Sequence, residues 1–241
     1  MKCAIFGDSH AADFTDLFDN NQELSLDVFP FPASSCKGLN NNKSVTQTHI
    51  LIENILNSIN FDIVFFKFGQ VDIEIMSYIT KSSFSDFLHK SVSSYVLFLK
   101  RIQLKFINIK FIVLSINPPT IKYNNLVYIQ NIITNSFGNL IISENKNINY
   151  SLEERTIISN MFNMLISFEC RSSGIQFHSY FDELLNNKII DRKFLSHEFT
   201  DHHIGEHYYV CDKIGRMKVM SLTSIYTTNL RNILKQIILT S

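Results

Sequence analysis

Two short runs hold the residue types best suited to chemistry: Gly7-Asp8-Ser9-His10 close to the start of the chain and Asp201-His202-His203 near its end. A serine hydroxyl is a poor nucleophile until a histidine takes its proton, and the histidine needs a carboxylate to hold its tautomer. Together the two runs supply serine, histidine and aspartate, a set suited to acyl transfer. The C-terminal stretch also offers metal ligands in His197, Asp201, His202, His203 and His207, the pair His203 and His207 at the spacing of one helical face. Gly205 between them weakens a helix and there is no His-Glu-x-x-His signature, so no metal is expected, and a metal-dependent hydrolase using residues 197–207 is the lesser alternative.

These runs can work together only if the fold converges them. Apolar segments rich in β-branched and aromatic residues recur at Cys3–Phe6, Leu26–Phe29, Ile63–Phe68, Phe111–Ile116 and, more weakly, Ile175–Phe181, and read as strands. Helical patterns at Ala11–Phe18, His49–Ile59, Ser83–Phe106, Leu152–Phe168 and Ser221–Leu239 alternate with them. The expectation is an α/β protein, a three-layer α/β/α sandwich on a central, mostly parallel five-stranded sheet of the flavodoxin-like kind. The whole chain, 1–241, reads as one domain with 206–241 a C-terminal helical extension. Asn124–Asn149, polar and poorly periodic, reads as an excursion or lid over the sheet rim after the stiff Pro118-Pro119 turn.

In a parallel sheet every strand sends its following loop to the same rim, where ligands bind. The loops after the first three strands carry Gly7-Asp8-Ser9-His10, then Ser34-Ser35-Cys36-Lys37-Gly38-Leu39, then Gly69-Gln70-Val71-Asp72. Ser9 would sit at a strand-to-helix turn with its amide at the N-terminus of the Ala11–Phe18 helix, where an oxyanion is favoured. As a bland alternative it is only an N-cap.

Gly-Asp-Ser-His near the start, a lone Gly38 in the second loop, Gly69-x-x-Asp72 after the third strand and the late Asp/His pair resemble the sequence blocks of SGNH/GDSL hydrolases over roughly residues 1–205. More narrowly, Phe6–Ala11, Lys37-Gly38-Leu39 followed by Ser44-Val45-Thr46, Phe68–Asp72 and Asp201–Ile204 look like SGNH-type proteins found with bacterial surface-polysaccharide biosynthesis genes. The resemblance implies Ser9 as nucleophile, with its amide and that of Gly38 as oxyanion donors. The family's third donor is an asparagine, but Val71 fills that slot, leaving Gln70 either as substitute donor or as a solvent-facing loop residue. Asp72 is expected to brace its loop by accepting backbone amides.

The family spaces its acid three residues before its base, yet Thr200 stands three before His203. His203, followed by apolar Ile204, is assigned as base with Asp201 as its orienting acid; His202 is the alternative base and Glu198 a reserve carboxylate. Asp8, His10, Lys37, Gly69 and Asn117 are candidate cleft residues, with a solvent-facing His10 and a solvated Lys37 as alternatives. The implied activity is that of a serine esterase or O-acyltransferase on acyl, chiefly acetyl, esters of a carbohydrate or surface polysaccharide. Hydrolysis needs no cofactor, and acetyl-CoA is the expected donor if the protein is a transferase. The alternative is a catalytically degenerate carbohydrate-binding protein on the same fold.

The bulk composition narrows the partners. Lys+Arg and Asp+Glu both number 22, so no net field draws the chain to nucleic acid or to an anionic membrane. No stretch reaches the ~18 apolar residues of a membrane span, and Met1 leads straight into an apolar strand, which suggests a cytoplasmic protein. The four cysteines lack Cys-x-x-Cys spacing and read as buried free thiols. Nothing in the pattern speaks to oligomeric state.

Overall fold

The structure is a computed structural model; it describes residues 1–241 except 19–20, 22, 124, 138–141, 143–149, 209–217 and 241. The chain begins with β1 (Lys2–Gly7), a 3-10 turn (Ser9–Phe14) and β2 (Ser25–Pro30), followed by α1 (Cys36–Leu39), α2 (Thr48–Ser58) and β3 (Ile63–Lys67). A π-helical turn (Asp72–Met76) runs into α3 (Ser77–Ile79), and then come α4 (Phe84–Lys105), β4 (Lys110–Leu114), α5 (Asn125–Phe137), α6 (Leu152–Ser172) and β5 (Gln176–His178). Two small hairpins, β6 (Leu185–Asn186) with β7 (Ile189–Ile190) and β8 (Glu206–Tyr208) with β9 (Lys218–Ser221), precede α7 (Ser224–Thr240).

The main sheet has five parallel strands in the order β2-β1-β3-β4-β5, as expected for a flavodoxin-like α/β/α sandwich. Strand alternation divides the core between its faces. Ala4, Phe6, Val64, Phe66, Phe111 and Val113 point to one side, where Ile52 of α2, Val96 and Leu99 of α4 and Phe162 of α6 cover them. Cys3, Ile5, Ile63, Phe65, Ile112 and Leu114 point to the other, under Phe14 and the α7 residues Tyr226, Leu230 and Leu234. Burial on both faces explains why these strands read as continuous apolar runs.

Local sequence sets the helix starts. Ser83 caps α4 by accepting the Asp86 amide at 3.1 Å, and α6 opens with a reciprocal capping box between Ser151 and Glu154.

Three expectations are corrected. Ala11–Phe18 is not an α-helix: Ser9–Phe14 forms a 3-10 turn whose six residues are all buried, and Asp16 at φ 61° ends the run. The reason is close packing, since a Cβ on Gly7 would fall 2.4 Å from the Lys67 carbonyl oxygen and 2.7 Å from Ala11 Cβ. The tail is not purely helical, because β8 and β9 pair before α7 and α7 packs on the second core face. Finally, Asn125–Phe137 of the polar excursion is an α-helix, while 138–141 and 143–149 lie outside the described residues.

Among the described residues no helix is long and apolar enough to cross a membrane. Cys3, Cys36 and Cys170 are buried free thiols; Cys211 lies outside the described residues.

Candidate active site

The site lies beyond the C-terminal ends of β1 and β3, at the point where strand order reverses around β1. Gly7 allows β1 to end directly against β3, and the Asp8 amide then donates to the Lys67 carbonyl at 3.2 Å. The turn that follows presents Ser9 toward the loop of residues 197–204.

His203 Nε2 lies 2.9 Å from Ser9 Oγ, and His203 Nδ1 lies 2.9 Å from Asp201 Oδ1. The same carboxylate oxygen accepts the His203 backbone amide at 2.7 Å, an Asx turn that makes the two-residue spacing workable. With the Nδ1 proton directed at Asp201, Nε2 is the acceptor for the serine hydroxyl. Burial alone would raise the Asp201 carboxyl, but the hydrogen bond from His203 and the charges of His203 and His202 hold it well below the usual carboxylate range. Ser9 and His203 are both buried, while the Asp201 side chain is about one-third exposed (36%).

The loop carrying these residues is held at several points. His197 accepts the Thr200 amide at Nδ1 and donates from Nε2 to the His203 carbonyl at 2.6 Å. Thr120 Oγ1 donates to the Asp201 carbonyl, and the Lys122 amide donates to Phe199 at 3.2 Å. His197 therefore braces the loop from within. Glu198 pairs with Arg192 at the surface and not with either histidine of the site, so the reserve-carboxylate expectation is corrected.

His202 turns the other way: its Nδ1 lies 2.8 Å from Tyr128 OH on α5. His10 is buried and not solvent-facing, with Nδ1 3.2 Å from Asp8 Oδ1 and Nε2 3.2 Å from the His202 carbonyl. Burial lowers the basicity of His10, but the Asp8 carboxylate more than offsets it and raises its pKa on balance. One ring nitrogen from each of His10, His202 and His203 lie within 4.8 Å of one another, the single cluster of ligand-like spacing among the described residues. It differs from the sequence-based set, because His197 serves the loop and the side chain of His207 lies outside the described residues.

The oxyanion expectations fare unevenly. Gln70 is neither a solvent-facing loop residue nor a donor at hand. It is buried, its Nε2 donates to Glu74 Oε1 at 2.8 Å and to the Asn117 carbonyl at 3.2 Å, and its Oε1 accepts the Asn117 amide at 2.8 Å. Both amide protons are engaged, one within the turn after β3 and one across to the loop after β4, and the substitute-donor expectation is corrected on that ground. The Gly38 amide donates to Ser35 Oγ at 3.1 Å as the cap of α1, so an oxyanion would have to displace that hydroxyl. The Ser9 amide opens the 3-10 turn, where the first amides have no acceptor within the turn itself.

The remaining expected cleft residues are framework. Asp8 binds the Gln70 and His10 amides at 3.1 Å each. Burial would raise the Asp8 carboxyl, but the bonds and charge of His10, aided by Lys67, keep it low. Gly69, at φ 124°, has no room for a Cβ, which would meet Phe162 Cε1 at 2.2 Å. Asn117 is buried between Gln70, Asp13 and Tyr180, and Lys37 is exposed.

Asp72 accepts the Cys36 amide at 2.7 Å, so it ties its turn to the loop after β2 instead of bracing its own loop. Burial pushes its carboxyl up to about 6 from an ordinary 3.8, against the pull of that bond. A folded-state pKa above the unfolded one means that the folded state keeps its proton longer, so this group stabilises least above pH 6 and its cost builds up between about pH 4 and 6. Asp72→Asn retains an acceptor for Cys36 and removes the buried charge. It is expected to raise unfolding stability at pH 7 by ~1–3 kcal/mol and to flatten the pH 4–6 dependence in urea titrations. An unchanged or lower stability at pH 7 would contradict this account.

Sequence reasoning missed four residues around the site. Lys67 hides inside an apolar strand run, is buried beside Asp8, Asp13 and Glu74, and its amine has no hydrogen-bond partner among the described residues. Burial lowers its pKa, and those three carboxylates act to raise it. Asp13 accepts Tyr226 OH at 3.1 Å, and Glu74 is raised to about 7 by burial. Tyr128, on the excursion helix, reaches His202. A charged residue in an otherwise apolar strand was the only available signal, and it pointed to Lys67.

The sequence matches no protein-family profile and no curated protein. Solved structures match in shape across nearly the whole chain. A candidate acylhydrolase from Bacteroides fragilis superposes with a TM-score of 0.59 at 11% identity, covering 99% of this chain and 86% of the other. A protein from Lactobacillus plantarum gives 0.56 at 8% identity over 99% and 96% of the two chains. The periplasmic domain of a lipopolysaccharide acetyltransferase from Salmonella Paratyphi A gives 0.51 at 14% identity over 99% and 83%. The chain has an SGNH/GDSL hydrolase-like fold.

Proposed function

We propose that this protein is a serine-dependent esterase or O-acyltransferase that works through an acyl-enzyme on Ser9. The observation that carries the reading is the continuous line Ser9 Oγ, His203 Nε2, His203 Nδ1, Asp201 Oδ1, each contact 2.9 Å. Ser9 Oγ attacks the ester carbonyl carbon while His203 Nε2 takes the hydroxyl proton. The carbonyl–alcohol bond breaks, and His203 returns that proton to the departing alcohol oxygen. Water, or a second hydroxyl, then takes the acyl group by the same steps in reverse. Asp201 keeps the ring in the Nδ1–H tautomer and offsets the charge His203 gains.

An acyl ester of a carbohydrate is the substrate class we carry forward from the sequence resemblance, and the lipopolysaccharide acetyltransferase domain among the similar folds is in keeping with it. In the transferase version an acyl-CoA is the donor, acetyl-CoA being its shortest form. A second reading, a binding protein on the same fold, draws on the Gly38 and Gln70 amides being bonded elsewhere.

Intact-protein mass spectrometry after exposure to a fluorophosphonate separates the two. One adduct on the wild type and none on Ser9→Ala is expected; a folded wild type that takes no adduct points to the binding protein.

A further inference from the structure

A cavity of about 220 Å³ opens beside His202, between the π-helical turn, the loop after β4, α5 and α6. By the same kind of measure a single water needs only ~10–15 Å³, so the space far exceeds what an acetyl group fills. Its wall is mainly apolar and includes Ile73, Ile75, Phe84, Ile121, Ile129 and Ile132.

The polar groups in that wall are largely engaged with one another. Arg155 donates to the Ile121 and Tyr150 carbonyls, Asn125 donates to Tyr78 OH at 3.3 Å, and Glu74 Oε1 holds Gln70. Glu74 Oε2 is the one buried side-chain atom of the lining, apart from Ser159 Oγ, that has no hydrogen-bond partner among the described residues. A sugar would bring more hydroxyls than this wall can satisfy, and each unmet one opposes binding. A hydrocarbon chain brings none.

The cavity adjoins Ser9 and His203 through His202, which stands between its wall and the His203 ring. Its lining includes His202 and Tyr128, hydrogen-bonded at 2.8 Å, and the His202 ring lies 3.8 Å from the His203 ring between centroids.

We infer that this cavity receives the acyl chain of the ester, and that the chain is of medium length, not acetyl. The inference rests on the Ser9 acyl-enzyme reading and places the carbohydrate or other alcohol outside the cavity. With the leaving group held constant, p-nitrophenyl acetate, butyrate and hexanoate should then show kcat/KM rising by at least about tenfold, since each buried methylene is worth up to ~4-fold. Ile132→Trp, at a half-buried cavity position, is expected to lower hexanoate kcat/KM by about tenfold or more while leaving acetate within about twofold.

A flat or falling chain-length profile overturns the inference, as does an Ile132→Trp loss shared equally by both esters. So does a rate that depends on alcohol length at constant acetyl. Binding is read separately by calorimetry on Ser9→Ala with octanoate, with Ile132→Trp added as the blocked form. No uptake by the open form overturns the pocket whatever Ser9 does. Uptake that Ile132→Trp abolishes supports the pocket even where the wild type turns over no ester, and in that case it is the serine mechanism that fails.

Discussion

Ser9→Ala and His203→Ala are each expected to lower kcat for any ester substrate by on the order of 10⁴ to 10⁶, and the double variant to be no worse than either alone. In the proposed mechanism the two side chains, 2.9 Å apart, act as one unit, so that removing either end leaves no activated nucleophile. Non-additivity is the more telling part of this result, because two independent binding residues would give losses that multiply. Folding is not expected to limit the outcome, since neither substitution enlarges a side chain and neither residue carries a core apolar contact. Steady-state kinetics with a p-nitrophenyl ester and a thermal melt of each variant make the check. Residual activity within about tenfold of the wild type in either single variant would remove Ser9 and His203 from the chemistry.

Asp201→Asn should cost about 10⁴ in kcat with little change in KM. The aspartate accepts the His203 Nδ1 proton at 2.9 Å and the His203 amide at 2.7 Å through one oxygen. One oxygen takes both bonds, so asparagine has two placements: with its oxygen there the bonds survive but the charge that offsets the imidazolium is gone, and with its NH₂ there the ring is driven to the tautomer with the proton on Nε2, where the serine must donate. Either placement disables the base. His202→Ala is expected to cost far less, roughly tenfold at most, because His202 Nδ1 meets Tyr128 and not Ser9. If His202→Ala proves the more damaging of the two histidine variants, the base is His202 and the loop rearranges in solution.

The strands were legible because burial on both sheet faces leaves no polar alternation to confuse them. Phe6 and Ile5 pack on opposite sides, and both positions are apolar. Ala11–Phe18 was read as an α-helix from the placing of its apolar residues; what shortens it to a 3-10 turn is the approach of Gly7 at the end of β1 to Lys67 on β3 and to Ala11, a packing that no local pattern contains. Helix α5 was obscured by its asparagines, yet Ile129 and Ile133 bury one side of it against Ile75 and Tyr78.

The sequence by itself determined the residue types available for acyl chemistry, the strand and helix alternation that sends their loops to one rim, and the Asp-His-His run from which a base is drawn. These follow from local periodicity and from chemistry intrinsic to each side chain. Only the tertiary structure decided that His203 and not His202 meets Ser9, that Gln70 joins Glu74 and Asn117 in place of facing an oxyanion, that the Lys67 amine is buried, and that an apolar cavity adjoins the site. Each of these depends on partners 47 to 194 residues away in the chain, or on the packing of several elements at once. Hydrogen-bond direction and cavity shape are set by such distant neighbours, and a linear pattern carries no record of them.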